Sequence, residues 1–301
     1  MRLCAATADG VWVMRRDDDD WQVRHAQLQG RAFWTVAVSP HQKDVIFAGA
    51  DGHGLFRSVN GGGSWRPMSR GLESPYVYSI AFDAVDPRVI FVSTLPAAVY
   101  RSGDGGETWE PLPGLRWTSG AESAPLQAVA HPVQPGQVYV LDAGALQRSC
   151  DSGLTWRASF AGAGRLHELA VLPNLLLLAA DEGMARSTDD GAAWTLAPET
   201  AAGRAVSAGP AGYCLGLQQS LSGGMALILS QDGGCTWVPA PGAARPALRR
   251  ITMTAMTIFG IEETGALLQA PWQTPVGALE WLVVNEELPP VLAIERVSEG
   301  V

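Results

Sequence analysis

The stretch Ser102-Gly-Asp-Gly-Gly-Glu-Thr-Trp109 decides the fold of this 301-residue chain, because near copies of it recur along the sequence. Each copy begins at a serine and ends at a tryptophan, at 58–65, 149–156, 187–194 and 230–237. The shared pattern, which we call the box, is Ser-x-Asp-x-Gly-x-Thr-Trp. A unit that repeats about every forty residues is typical of a radial array of small sheets.

Each position of the box suits a hairpin turn. The Asp carboxylate accepts hydrogen bonds from N–H groups of its own turn, and the Gly adopts the positive φ that tight turns require. The Trp is a large apolar plate that packs on a neighbouring sheet. We therefore predict a structural role, rather than calcium binding or catalysis. The structural residues are Asn60, Asp104, Asp151, Asp189 and Asp232, with Trp65, Trp109, Trp156, Trp194 and Trp237.

The spacing of the boxes predicts seven units, because Trp21 and Trp281 continue the series where the box has decayed. Each unit is predicted to contain four short apolar strands bounded by Gly, Pro and Asp. In the second unit these strands are 34–38, 45–48, 54–57 and a fourth strand that starts at Trp65. The first unit lacks its first strand, and an unpaired apolar run follows the last unit.

We therefore predict an all-β, seven-bladed β-propeller that occupies residues 1–301 as a single domain. Its first blade is expected to combine residues 1–30 with 288–298, so that the C-terminal strand pairs into the N-terminal blade and closes the ring.

The boxes and their spacing resemble those of the BNR or Asp-box β-propellers over nearly the whole chain. Relatives include sialidases, xyloglucan-cleaving glucanases, sortilin-type receptors and the photosystem II assembly propeller, so the resemblance implies a fold and no single activity. It also implies that the functional face lies opposite the boxes. The blade-to-blade connections and the loops between second and third strands belong to that face.

Composition narrows the classes of partner. A net charge of −9 and a pI near 5.0 argue against nucleic acid as a partner. The most apolar run, 175–180, has the length of a strand, so no membrane insertion is expected. No signal-peptide pattern precedes the first strand, which favours a cytoplasmic location.

The four cysteines include no C-x-x-C pair, so neither disulfides nor a zinc site is expected. Cys4 and Cys214 fall in second strands and are interpreted as small core residues. His25, His53 and His167 are assigned to the face opposite the boxes and could together bind a metal, but a lone loop histidine is usually only a polar residue. We predict no metal and no cofactor.

Arginines and aromatic residues recur in the segments assigned to the face opposite the boxes. Arg116-Trp117 belongs to the longest connection, and this Trp is part of no box. Trp34 and Tyr78 fit core packing in first strands better than exposure. The predicted binding set is Arg31, Trp34, Tyr76, Arg116, Trp117, Arg165, His167, Arg204, Arg249 and Arg250.

Two interpretations of these arginines stay open. They could form ion pairs between blades with carboxylates of the loops between second and third strands on the same face, such as Asp51, Asp181 and Glu262. Alternatively, their guanidinium groups could bind carboxylates or phosphates of a ligand through bidentate hydrogen bonds.

The functional hypothesis is a non-catalytic protein- or peptide-binding module whose partner carries acidic groups. The alternative is a glycoside hydrolase or lyase with its site at the mouth of the central channel. A sialidase-like site would have only Tyr76 as a plausible nucleophile, and several carboxylate pairs would serve a glucanase-like site equally well. No catalytic residue is therefore assigned, and the sequence does not fix the oligomeric state.

Overall fold

The computed structural model describes residues 1–18, 20–115, 127–162, 164–197, 199–220, 224–241, 247–272 and 279–297. These residues form 28 β-strands and a short 3-10 turn at Pro210–Gly212. The strands make seven four-stranded antiparallel sheets, so the predicted all-β, seven-bladed propeller class is confirmed. The described part of the chain includes no helix with the length and hydropathy needed to cross a membrane.

The blades are numbered along the chain. Blade 1 contains β1 (Arg2–Thr7), β2 (Gly10–Asp17), β3 (Asp20–Gln27) and the C-terminal β28 (Val291–Val297). Blade 2 contains β4 (Phe33–Val38), β5 (Ile46–Ala50), β6 (Leu55–Ser58) and β7 (Arg66–Pro67). Blade 3 contains β8 (Tyr76–Phe82), β9 (Ile90–Leu95), β10 (Ala98–Ser102) and β11 (Glu110–Pro111). Blade 4 contains β12 (Gln127–Ala130), β13 (Val138–Leu141), β14 (Ala145–Ser149) and β15 (Arg157–Ala161).

The remaining three blades follow the same order. Blade 5 contains β16 (Leu166–Leu172), β17 (Leu175–Ala180), β18 (Gly183–Ser187) and β19 (Thr195–Leu196). Blade 6 contains β20 (Gly203–Ala208), β21 (Cys214–Gln219), β22 (Met225–Ser230) and β23 (Val238–Pro239). Blade 7 contains β24 (Leu248–Met253), β25 (Thr257–Glu262), β26 (Leu267–Pro271) and β27 (Leu282–Val283). Predicted strand positions in blade 2 differ from these bounds by one or two residues.

The chain divides into two compact units. Unit 1 comprises 1–142, 147–157 and 287–301, and unit 2 comprises 143–146 and 158–286. Blades 1 to 3 belong to unit 1, and blades 5 to 7 belong to unit 2. That residues 1–301 form a single domain stays a prediction.

The C-terminal strand supplies the missing strand of blade 1, as the sequence predicted. β28 pairs antiparallel with β1, with Arg2 opposite Val297 and Ala6 opposite Ala293. Val291 and Val297 are buried at the two ends of this strand. The first sheet therefore depends on residues from both ends of the chain.

In blades 2 to 6, the box residues close the hairpin through a repeated hydrogen-bond network. In blade 3, the Ser102 hydroxyl donates to Asp104 Oδ1 at 2.8 Å, and Gly106 N donates to the Ser102 oxygen at 2.8 Å. Asp104 also accepts from Thr108 N at 2.9 Å and from the Thr108 hydroxyl at 2.6 Å. These bonds satisfy the polar groups of a turn whose serine is buried.

Gly106 shows why the box needs glycine. Its φ is +89°, and a Cβ there would lie 2.8 Å from the Phe47 ring of blade 2. A side chain would therefore be strained and would also clash. Trp109 is buried beside it and donates from Nε1 to the Met68 carbonyl of blade 2 at 2.7 Å.

The core of each unit lies between adjacent sheets. In unit 2, Leu177 and Met184 of blade 5 pack against Ile228 and Trp237 of blade 6. Cys214 lies in the same cluster as a buried free cysteine, in agreement with its interpretation as a small core residue. Apolar residues on both faces of the strands explain their near-continuous hydrophobic runs.

Candidate functional site

A β-bulge recurs at the start of the first strand in five blades. One residue is left unpaired between Phe33 and Thr35, Val77 and Ser79, Leu166 and Glu168, Gly203 and Ala205, and Leu248 and Arg250. The bulged residues are Trp34, Tyr78, His167, Arg204 and Arg249. The pairing of β28 with β1 skips Leu292 in the same way. Because a bulge re-aims its side chain and is common next to binding sites, this set marks the candidate site.

The structure relocates part of the predicted binding set. Arg204, Arg249 and Arg250 were expected in blade-to-blade connections, and that placement is wrong, because they lie inside β20 and β24. Arg165 immediately precedes β16, and Arg31 lies two residues before β4. Arg116 and Trp117 lie outside the described residues, so their predicted exposure and contact role are not addressed.

A polar cluster in unit 2 joins the bulges of blades 5 and 6. Asp181 Oδ1 lies 2.8 Å from His167 Nε2 and accepts a hydrogen bond from Arg204 Nη1 at 2.8 Å. Asp181 Oδ2 accepts from Arg165 N at 3.1 Å. The other guanidinium nitrogen of Arg204 donates to Gln219 Oε1 at 3.2 Å. The guanidinium is thus held in one orientation by two different acceptors.

Electrostatics determine the charge states in this cluster. Burial lowers the pKa of His167, the Asp181 hydrogen bond opposes that shift, and the Arg204 charge adds to it. The hydrogen bond from His167 is the main cause that lowers the pKa of Asp181. The lowered pKa of His167 favours a neutral ring at neutral pH. Its Nε2 lies against both Asp181, which can only accept, and Arg204, which can only donate, so these two neighbours favour opposite tautomers of the ring.

Glu168 and two arginines extend the cluster to blade 7. Burial raises the pKa of Glu168, while Arg250 and a hydrogen bond from Val206 N, at 3.1 Å, oppose the rise. Burial lowers the pKa of Arg249, and the neighbouring positive charge of Arg250 lowers it further. Arg250 is therefore within electrostatic reach of both Arg249 and the Glu168 carboxyl.

The bulged residues of blades 2 and 3, in unit 1, are aromatic. They are Trp34 and Tyr78, whose ring centroids lie 4.8 Å apart with an interplanar angle of 41°. Both are half-buried, so the favoured interpretation as core residues describes only part of their environment. Tyr76, the first residue of β8, is 41% exposed. The Arg31 guanidinium lies over the Phe56 ring at 5.7 Å from its centroid.

Within the described ranges, an ion pair between blades forms where Arg204 of blade 6 bonds to Asp181 of blade 5. His25 lies within β3, the outer strand of blade 1, and not in a loop. Among the residues for which positions are given, no group of three or more His, Cys, Asp or Glu side chains is arranged to hold a metal ion.

The predicted binding set lacks Tyr78, Glu168, Asp181 and Gln219. One pattern in the sequence points to Tyr78, since a large or polar residue follows an apolar residue near the start of its first strand, as in Val77-Tyr78 and Leu166-His167.

No protein-family profile and no curated protein matches the chain. Solved structures do match its fold. The GH74 enzyme of Niastella koreensis aligns with a TM-score of 0.73 at 14% identity, over 93% of this chain and 51% of that one. An ancestral GH74 enzyme aligns with a TM-score of 0.70 at 15% identity, over 93% and 44%. The chain therefore spans about half the length of these enzymes.

YCF48 bound to a D1 peptide aligns with a TM-score of 0.60 at 17% identity, over 79% of this chain and 78% of that one. At such identities, the similarity establishes the β-propeller class of the chain and leaves its activity open.

Proposed function

We propose that the chain is a non-catalytic protein- or peptide-binding module, whose partner presents acidic groups to the cluster of unit 2. The observation that carries this proposal is the series of bulges in β16, β20 and β24. Each of them displaces a nitrogen-bearing side chain, His167, Arg204 or Arg249, out of the regular strand pairing.

The geometry of the guanidinium groups suits carboxylate recognition. Arg204 is 34% exposed and is already oriented by Asp181 and Gln219, so little side-chain entropy is lost when a ligand binds. At Arg249 and Arg250, a ligand carboxylate would offset the repulsion between two positive charges. Arg165, Arg116 and Trp117 remain in the proposed contact set.

The fold neighbours are compatible with this function. YCF48 has been solved with a bound peptide, which supports a peptide-binding role for a propeller of this size. The proposal for this chain rests on its own arginines, because the shared fold does not transfer a partner.

A peptide array tests the proposal directly. Each acidic peptide, rich in Asp and Glu, is paired with a neutral counterpart in which Asn and Gln replace the acids. We expect wild type to bind acidic peptides preferentially, and Arg249→Gln with Arg250→Gln to weaken that binding about tenfold or more. Arg88→Gln is the matched control, because Arg88 is an exposed arginine that pairs only with nearby Asp86 among the described contacts.

Equal binding of acidic and neutral peptides would contradict the proposal. Equal weakening by Arg88→Gln would also contradict it, since the effect would then reflect net charge. Melting temperatures of the variants establish that each is folded.

A glycoside hydrolase is the second candidate, and one observation favours it. Glu168 is a carboxyl group whose pKa is raised by burial, which is the property of a general acid. GH74 enzymes share the fold. Release of reducing sugar from xyloglucan, lost in Glu168→Gln, would support this candidate. If wild type releases no reducing sugar in this assay, the glycoside hydrolase candidate is ruled out.

A further inference from the structure

An aromatic cluster in unit 1 has a chemistry different from that of the arginine cluster. We define it as Trp34, Tyr76, Tyr78 and Asp51. The first three come from the starts of β4 and β8, and Asp51 begins the loop between β5 and β6. Trp34 and Tyr78 are both bulged residues, and their rings are in contact.

Tyr76, the first residue of β8, is the exposed member of the cluster. Its side chain is 41% exposed, so it is not a core residue. The Tyr76 ring lies 3.4 Å from the position that a Cβ on Gly52 would take, and Gly52 has a φ of +74°. The glycine thus lets the loop approach the ring closely, directly beside Asp51.

Asp51 brings a negative charge to the rings. Its backbone N–H donates to the Ala32 carbonyl at 2.9 Å, which ties the start of the loop to the segment that leads into β4. The pKa of Tyr78 is raised, first by burial and then by the charges of Asp51 and Tyr76. The Asp51 carboxylate is therefore within electrostatic reach of Tyr78.

Aromatic rings and a carboxylate together favour the binding of a cation. The face of an aromatic ring carries partial negative charge and attracts guanidinium and ammonium groups. Two arginines of the same unit already use this attraction. Arg31 lies over Phe56 at 5.7 Å, and Arg57 lies over Phe47 at 5.8 Å.

We infer that the cluster of Trp34, Tyr76, Tyr78 and Asp51 binds a basic side chain, the guanidinium or ammonium group of a peptide partner. This site would stack the cation on the exposed ring of Tyr76 and neutralise it with Asp51. It does not rest on the acidic-partner proposal, because none of its residues belongs to the arginine cluster of unit 2.

Nuclear magnetic resonance of the Trp34 indole N–H, assigned with Trp34→Phe, tests the inference. The probes are Nα-acetyl-arginine amide and its uncharged counterpart Nα-acetyl-citrulline amide, with cellotetraose as a sugar that could also stack on aromatic rings. We expect a saturable shift with the arginine compound alone. Asp51→Asn should weaken it roughly three- to tenfold.

Two further variants separate ring stacking from other effects. Tyr76→Phe keeps the ring and should retain binding, whereas Tyr76→Ala should weaken it by a similar factor to Asp51→Asn. Arg249→Gln should leave the titration unchanged, which separates this site from the acidic-peptide site.

Three results would overturn the inference. The indole could fail to shift with the arginine compound, or shift equally with citrulline, which would show that charge is irrelevant. Binding of cellotetraose in place of arginine would identify a sugar-binding surface instead.

Discussion

At the scale of single residues, the box Asp residues contribute to the response of the fold to acid. The Thr108 hydroxyl is the main cause that lowers the pKa of Asp104 to about 2, and Thr155 acts in the same way on Asp151. A carboxylate whose pKa is lowered in the folded state stabilises the fold above its unfolded pKa of about 3.9. This stability is lost as the pH falls toward 2.

Asp104→Asn should reduce that acid sensitivity. Asn60 occupies the equivalent position in blade 2 and still accepts from Ser64 N at 2.9 Å, so the turn can form with an amide. We expect a cost of roughly 0.5–1 kcal/mol at pH 7 and a smaller loss of stability between pH 7 and pH 3 than in wild type. Urea denaturation at both pH values measures this, with Glu110→Gln as the surface control. An unchanged difference between the two pH values would show that Asp104 is not responsible.

Ala193→Thr should stabilise the chain. Asp189 accepts from Ala193 N at 2.9 Å, but alanine lacks the hydroxyl with which Thr236 bonds to Asp232 at 2.7 Å. Because the turn is exposed, the gain should be about 0.5 kcal/mol. Chemical denaturation gives the value, and Ala193→Val, which has the same shape without the hydroxyl, should give no gain.

His167 should report on both of its charged neighbours. Arg204→Gln removes a positive charge and should raise the pKa of His167, whereas Asp181→Asn should lower it. Nuclear magnetic resonance titration of the ring protons measures both shifts, and shifts of the opposite sign would refute the geometry. Because the pKa of His167 is lowered on folding, the stability that it contributes is complete above about pH 6.5 and declines as the pH falls below that value.

At the scale of elements, the bulges in the first strands are the feature that sequence patterns did not reveal. The sequence pattern placed Arg204 and Arg249 in blade-to-blade connections, just before the first strands. The strand pairing continues past them and leaves each one unpaired in a bulge. A bulge depends on the register of two strands, which local propensity does not specify.

A hydrogen bond between blades 2 and 3 distinguishes Trp109 from Trp65. Trp109 donates to Met68 of the preceding blade, whereas Trp65 donates to Gly62 of its own turn at 3.1 Å. We expect Trp109→Phe to cost roughly 2 kcal/mol and Trp65→Phe roughly 1 kcal/mol, because the first also leaves a buried carbonyl unpaired. Thermal or urea denaturation compares the two, and equal costs would contradict the argument.

At the scale of the whole molecule, the first blade joins the two ends of the chain. Removal of residues 289–301 would expose the edge of β1 and take away the buried Val291 and Val297. We expect this truncation to lower the melting temperature by about 10 °C or more and to promote aggregation. A peptide of residues 288–301 added in trans should partly reverse both effects. Truncation after Val297 is the control, and a stable shorter variant would refute the dependence on β28.

The sequence by itself determined the blade count, the hairpin turns and the pairing of the two chain ends. Those features follow from local spacing, from turn-forming residues such as Asp104 and Gly106, and from an unpaired apolar run at 291–295. Tertiary structure alone decided which distant residues meet, such as His167 with Arg204 and Trp34 with Tyr78. Such contacts join different blades, so they depend on strand register and sheet packing, which no local stretch of sequence encodes.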